Sequence, residues 1–257
     1  MKHGLIIFII LLVFLGIPEL IPGPHASQYL DHGNTGPDDA PMVFIPAGEF
    51  LMGNYNGSDH QEKPLRTVDI DGFYMDVFEV TISRYVAFLR ATERQAPGNW
   101  NQLNLSKPDK RPVAEVSWYD AQAYCDYYGK RLPTEAEWEK AGRGPHGWSY
   151  PWGNRPPKGG RYSQYWYVGE RKYSKVRGTM EIGGVEAGKS FYGVHDLAGN
   201  VAEWVSDWTS PSKGHFKMIR GGSSPRQSGI PRLDERFSCP PDTNFKTVGF
   251  RCAQDVR

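Results

Sequence analysis

Cysteine is scarce in this chain: 257 residues contain three, Cys125, Cys239 and Cys252, far apart and without a CxxC or haem-attachment spacing. An oxidising compartment could pair two of them and leave one over. Charge of one sign is also missing, because 30 Lys plus Arg face 29 Asp plus Glu and leave a net charge of +1. No global field therefore draws the molecule onto nucleic acid, and no nucleic-acid partner is expected. There is no GxSxG, no HExxH and no phosphate loop, so hydrolase and nucleotide-binding readings lack their motifs. The seven histidines include no two at metal-ligand spacing. From Met42 onward there is no repeat, no low-complexity tract and no second linker.

What is abundant is glycine (29) and proline (20), together roughly a fifth of the chain, with aromatic residues at 13%. The usual combined share of Gly and Pro is about 12%. That mixture predicts a loop-rich fold pinned by rings. The N-terminus departs from it: residues 4–17, GLIIFIILLVFLGI, carry no polar side chain. Fourteen residues are fewer than the roughly 20 of a comfortable span and match a signal-peptide core after a short basic start. The stretch around Pro24, His25 and Ala26 is a poor cleavage site, since a proline stands where a small residue is wanted. Residues 1–22 are therefore expected to be a signal peptide or an uncleaved anchor, touching the membrane through residues 4–21 in the second case. Residues 23–41 are expected to be a polar linker and 42–257 a single domain on the periplasmic side of a bacterial membrane.

Start signals place three helices in that domain. Thr81 offers an N-cap hydroxyl ahead of Ile82, Tyr85, Val86 and Leu89 at helical spacing. Ser117 and Asp120 open a second helix with Ala121, Tyr124, Cys125 and Tyr128 on one face and Gly129 as its stop. Thr134 and Glu137 form a capping box at the head of a third. Strands are expected at 42–45, 49–52, 67–70, 73–75, 218–220 and 248–252. The stretch 142–191 shows no period, and ring stacking or bound ions must tie it down.

Seven pieces then fall in order: MVFIPAGEFLMG (42–53), EVT (79–81), PVAEVSWYDAQAYCDYYGKRLPTEAEWEKAGRG (112–144), YPWGN (150–154), YGVHDLAGNVAEWVSDW (192–208), RGGS (220–223) and GFRCA (249–253). In this order the chain resembles the sulfatase-modifying-factor family, the formylglycine-generating-enzyme-like domains. The resemblance implies a single α+β domain related to the C-type lectin fold, loop-rich, with short helices around a small twisted sheet, here preceded by the N-terminal hydrophobic segment. It implies a disulfide between Cys125 on the second helix and Cys252 in the final strand. It also implies a structural calcium ion at the DLAGNVAEW turn, held by Asp196, Gly199, Val201 and Glu203, as oxygen-only ligation suits that ion.

The family's oxidase chemistry needs two cysteines that bind copper(I) between GGS and GFRC, since copper(I) demands soft thiolates. Here that interval offers Ser224, Arg226, Ser228 and Gly229, and Cys239 stands too late in it. No copper and no formylglycine-generating activity are expected, and Cys239 reads as a buried or free thiol. Glu135, Glu137 and Glu139 read as one cap and a solvent-facing remainder. The tryptophans at 118, 138, 152, 204 and 208 read as core rings, and His195 as a packing residue.

Two functions follow from the sequence. The first is a non-catalytic protein-binding or structural subunit of a periplasmic or membrane complex, electron transfer being one candidate. Its expected contact surface is Tyr162, Tyr165, Trp166, Tyr167, Arg226, Arg232 and Arg236, residue types that dominate interfaces. The alternative is an oxidative modification or maturation enzyme using a rearranged site, with Arg220, Arg226, Arg232, Asp234, Glu235, Arg236 and Arg251 shaping a polar pocket.

Overall fold

A computed structural model describes residues 35–54, 65–97, 100, 108–156, 179–209, 214–222 and 231–256. The apolar segment 4–17 and Tyr162, Tyr165, Trp166, Tyr167 and Arg226 lie outside these residues. Among the described residues no helix is long and apolar enough to cross a membrane.

The first strands are β1 (Met42–Ile45), β2 (Gly48–Met52), β3 (Arg66–Ile70) and β4 (Phe73–Asp76). Three helices follow: α1 (Ile82–Thr92), α2 (Trp118–Tyr127) and α3 (Glu135–Arg143). The second half supplies β5 (Ala202–Trp208), β6 (Lys217–Gly221), β7 (Arg236–Cys239), β8 (Val248–Gly249) and β9 (Ala253–Asp255). Each helix starts where its cap was expected. The Thr81 hydroxyl accepts from the Arg84 amide, and Ser117–Asp120 and Thr134–Glu137 both close as reciprocal capping boxes. These side chains satisfy amide donors that a helix cannot satisfy itself.

The strands form not one small sheet but three: β1-β4-β9, the ribbon β2-β3, and the four-stranded β7-β6-β5-β8. The strands β5 and β7 escape a period-two reading because β5 is buried through its first four residues and half of β7 is only partly covered. The expected final strand 248–252 is divided. Val248–Gly249 runs parallel to β5, whereas Ala253–Asp255 pairs with β4, and Cys252 stands between them. The chain changes sheets here, and at Gly249 the close approach forbids a side chain, since a Cβ would lie 2.2 Å from the Val113 carbonyl oxygen.

Two apolar clusters result. One packs α1 and α2 on the four-stranded sheet through Tyr85, Phe88, Tyr124, Trp204 and Phe250. The other joins β1, β4 and α3 through Val43, Ile45, Met75 and Trp138. Cys125 and Cys252 are disulfide-bonded with Cα atoms 5.8 Å apart, inside the first cluster. Trp138 and Trp204 are fully buried, but Trp208 is 37% exposed. It stands at the end of β5, where its ring and that of Trp118 enclose the Lys217 ammonium at 4.0 and 3.8 Å. Within the stretch 142–191, His146 stacks on Trp148 and meets Phe191 edge-on, and Tyr150 stacks on Trp152.

The end of the stretch expected to be linker is folded onto the domain. Residues 35–41 close a turn through the Thr35–Pro41 bridge. Asp38 then reaches the buried Lys130 ammonium, which also donates to Asp76 at 2.8 Å, while the Tyr124 hydroxyl donates to Asp38 at 2.9 Å. Burial pushes the Asp38 carboxyl up, yet the charge and hydrogen bond of Lys130 and the Tyr124 hydroxyl hold it below its ordinary value. The Asp76 carboxyl, wholly buried, is raised despite the same partner. Replacing Lys130 by Met leaves two buried carboxylates without their cation, so stability should fall by about 3–5 kcal/mol. Urea unfolding measures this; a loss under about 1 kcal/mol, the range of surface pairs, would show that the knot does not anchor the arm.

Candidate functional site

Arg251 sits two residues past β8, and the parallel register sets Glu203 opposite Gly249. The guanidinium is thereby delivered beside the carboxylate, and both groups are buried. Arg251 donates from Nε to Glu203 Oε2 and from Nη2 to Oε1, each at 2.7 Å. Its remaining donors meet the carbonyls of Asp76, Val77 and His195 at 3.2, 3.0 and 2.8 Å. Five N–H groups thus have five acceptors, the full capacity of the side chain. The Trp138 indole N–H adds a bond to Glu203 Oε2 at 2.9 Å.

The turn that precedes β5 is held separately. Asp196 and Asn200 take left-handed backbone conformations, φ 64° and 57°, which short polar side chains tolerate. The Gly183 amide donates to Asp196 Oδ2 at 2.6 Å, and Asn200 exchanges hydrogen bonds with the Met180 backbone at 3.0 and 3.3 Å. Glu79, from the EVT piece, enters the same place and is fully buried. The Asn200 amide donates to its Oε2 at 3.4 Å, whereas its Oε1 has no hydrogen-bond partner among the described residues. Burial, then the charge of Asp196, pushes Glu79 well above the ordinary carboxylate range, with Arg251 opposing. Burial likewise raises Asp196. His195 packs its ring 4.9 Å from that of Phe78, and burial lowers its affinity for a proton.

Of the four residues expected to hold calcium, Asp196, Gly199 and Val201 share one turn with Asn200. Glu203 begins the strand behind it with both carboxylate oxygens engaged. The donors are hard oxygens, and the uncompensated buried oxygen of Glu79 suits a cation, so the turn fits calcium in kind. Glu203 accepts three hydrogen bonds from Arg251 and Trp138, within the roughly four lone-pair sites of a carboxylate. Among the described residues no three His, Cys, Asp or Glu side chains are arranged to hold a metal by themselves.

Copper fits poorly. With Cys125 and Cys252 joined, the sequence leaves a single thiol, Cys239, which is buried and pushed up to about 12 by that burial. It is a core residue of β7, not half of a thiolate pair.

The described arginines that could have lined a catalytic pocket are engaged by carboxylates, with Arg220 and Arg236 sharing Glu135. Arg220 is buried over the Trp138 ring and donates to Glu135 Oε1 at 3.1 Å, Glu139 Oε2 at 2.5 Å and the Leu233 carbonyl at 2.5 Å. Arg236 pairs with Glu135, at 2.8 Å through Nη2, and its side chain is only 11% exposed, so it turns inward from the expected contact surface. Arg232 lies at the surface beside Asp234, 3.2 Å away. Glu135 and Glu139 were expected to face solvent. Both are buried in this network, with Glu139 also accepting from Arg143 at 2.9 Å and from the Gly53 amide at 2.7 Å. Only Glu137 keeps the expected capping role. Nothing local in TEAEWE signals the burial, because the partners come from β6, β7 and β2.

Comparison with known proteins identifies the family. The sulfatase-modifying factor enzyme 1-like domain matches residues 31–256. The formylglycine-generating enzyme of Streptomyces coelicolor is 32% identical, over 91% of this chain and 93% of its own. A mouse protein named inactive C-alpha-formylglycine-generating enzyme 2 is 31% identical, over 85% of this chain and 87% of its own. The solved structure of PvdO from Pseudomonas aeruginosa superposes with a TM-score of 0.68 at 25% identity, covering 85% of this chain and 95% of that one.

Arg251→Lys should be a severe change despite keeping the charge, since an ammonium offers three donors where five are used. Breaking a buried pair costs about 3–5 kcal/mol, and chemical denaturation should show a loss of that order. A variant as stable as the parent would mean that Arg251 is not the tie between β4, the Asp196 turn and β5.

Proposed function

We propose that this chain, which belongs to the sulfatase-modifying factor enzyme 1-like family, is a non-catalytic member that serves as a protein-binding or structural subunit of a membrane-associated complex. The observation that carries this reading is the fate of the cysteines. Two are spent on a cross-link and the third is a buried thiol held protonated, so the chain by itself cannot present a pair of thiolates to copper(I). The frame around that loss is intact: caps, disulfide and the Arg251–Glu203 tie are all in place. A relative whose name describes it as inactive supports the idea that the family keeps its fold where the activity is absent. Fold and chemistry are separable in this way because a packed core does not depend on the reacting residues.

The apolar residues 4–17 support export and a tether on the periplasmic side of a bacterial membrane, with the domain itself starting at the docked arm 35–41. In the same reading calcium at the Asp196 turn is structural and fixes a loop-rich half of the domain. Contact residues for a partner are proposed on Arg232 and on the tyrosine-rich segment around Tyr165 and Trp166.

Native extraction in mild detergent, followed by intact-mass spectrometry and elemental analysis of the purified material, tests the reading. The expected result is a stoichiometric protein partner, a retained N-terminal segment, calcium and no copper. Cys239→Ser should leave complex formation unchanged. A solitary chain carrying a redox metal or organic redox cofactor would overturn the proposal in favour of an oxidative enzyme.

A further inference from the structure

We infer that the end of the β5–β6 hairpin at Trp208 and Phe216, together with the head of α2, is a membrane-docking surface that sinks its aromatic rings into the headgroup level of the bilayer. The inference rests on the N-terminal tether proposed above and adds which side of the domain meets the lipid. Its first ground is the set of rings left in the open. Tyr119 is 54% exposed, Trp208 37% and Phe216 44%. They belong to one end of the domain. Trp118 packs edge-on against Tyr119 and lies 6.5 Å from Trp208, and the Phe216 carbonyl accepts from the amide of Thr209, the residue after Trp208, at 3.0 Å. The register pairs Trp208 with Lys217, so by the alternation of a strand Phe216, the residue before, leaves the hairpin from the opposite side. An antiparallel sheet whose outer face meets water carries polar side chains there. Rings on both sides of one hairpin end suit a medium that surrounds that end, more than a protein partner that covers one face of it.

The second ground is the hidden charge. Lys217 is buried under these rings, with its ammonium between the indoles of Trp118 and Trp208 and donating to the Ser206 carbonyl at 2.6 Å. Burial pushes its proton affinity down, to about 8. The surface offered here is therefore indole and phenol rather than ammonium. Trp and Tyr are the residues that settle at membrane interfaces, with the ring in apolar surroundings and the polar tip in water. The third ground is where the tether arrives. The arm meets α2 at Tyr124, whose hydroxyl donates to Asp38, and Tyr119 lies five residues earlier on the same helix, about 7–8 Å along its axis. Seventeen residues, 18–34, separate the apolar run from the described arm, a contour of at most about 60 Å. An anchored domain thus stays within reach of its own bilayer, with the aromatic end beside the point from which it hangs.

The full chain is reconstituted into vesicles of phosphatidylethanolamine and phosphatidylglycerol, with and without brominated acyl chains, and recovered by flotation. An environment-sensitive fluorophore is attached through Thr209→Cys or, as a control, through Leu51→Cys. Leu51 lies beside Gly147, past the end of α3 that is remote from Asp207, and the native free thiol, Cys239, is buried. Bromine should quench the probe at 209 about twofold or more beyond the probe at 51, as a depth of roughly 5–10 Å into the interface requires. Tyr119→Ser combined with Phe216→Ser, which leaves Trp118 and Trp208 around Lys217, should remove most of that quenching while the chain still floats. If the chain floats and the two probes are quenched alike, or if the quenching persists in the double variant, the docking surface is overturned and the tether stands. If the probe at 209 is shielded only in material that retains a protein partner, that partner and not lipid covers the rings, and the inference is overturned. If the chain does not float, the tether fails and the docking surface with it.

Discussion

Arg251 brings a guanidinium into an interior where no water can solvate it, and the protein answers with one acceptor for each of its five donors. Three of those acceptors are backbone carbonyls, from the end of β4, from the residue after it and from His195. The other two are the oxygens of Glu203 on β5. One side chain therefore ties together two sheets and the turn between them. Taking two charges out of water is expensive, and the mutual attraction repays it only when the remaining hydrogen bonds are all made. The arrangement specifies where the sheets meet more than it adds to net stability.

Trp138 extends this constraint to α3. Its indole N–H reaches Glu203 while its ring lies under the Arg220 guanidinium, 5.4 Å away. Arg220 in turn gathers Glu135 and Glu139, so the two ion-pair networks share one aromatic wall. The residues that might have suggested acid and base chemistry are thus consumed in holding short elements to one another. A fold with little regular structure cannot rely on long ladders for its rigidity, and buried polar networks that are fully satisfied supply it instead. Such networks hold the frame without drawing on a cysteine pair, which the sequence between RGGS and GFRC lacks.

The N-terminal arm obeys the same rule at another point. Lys130, at the end of the α2 turn, holds Asp38 from the arm and Asp76 from β4, close to the cross-link between Cys125 and Cys252.

Local chemistry alone determined the helix starts, since Thr81, Ser117 and Thr134 need no more than the amides three residues on to act as caps. Gly129 as a stop, and β1, β2 and β3 to within a residue or two, were legible for the same reason. The order of seven motifs carried the family and hence the fold. Tertiary structure decided the rest. Glu135 and Glu139 look like surface charges until arginines from β6 and β7 arrive. Glu203 gains its buried cation only because the parallel strand β8 sets Arg251 beside it, and the fold buries one oxygen of Glu79 without a donor among the described residues. Each of these assignments depends on a partner far away in sequence, from 48 residues for Arg251 and Glu203 to 121 for Asn200 and Glu79. Pattern and spacing report what lies within a few residues; the pairing of charges across sheets is fixed only when the chain folds.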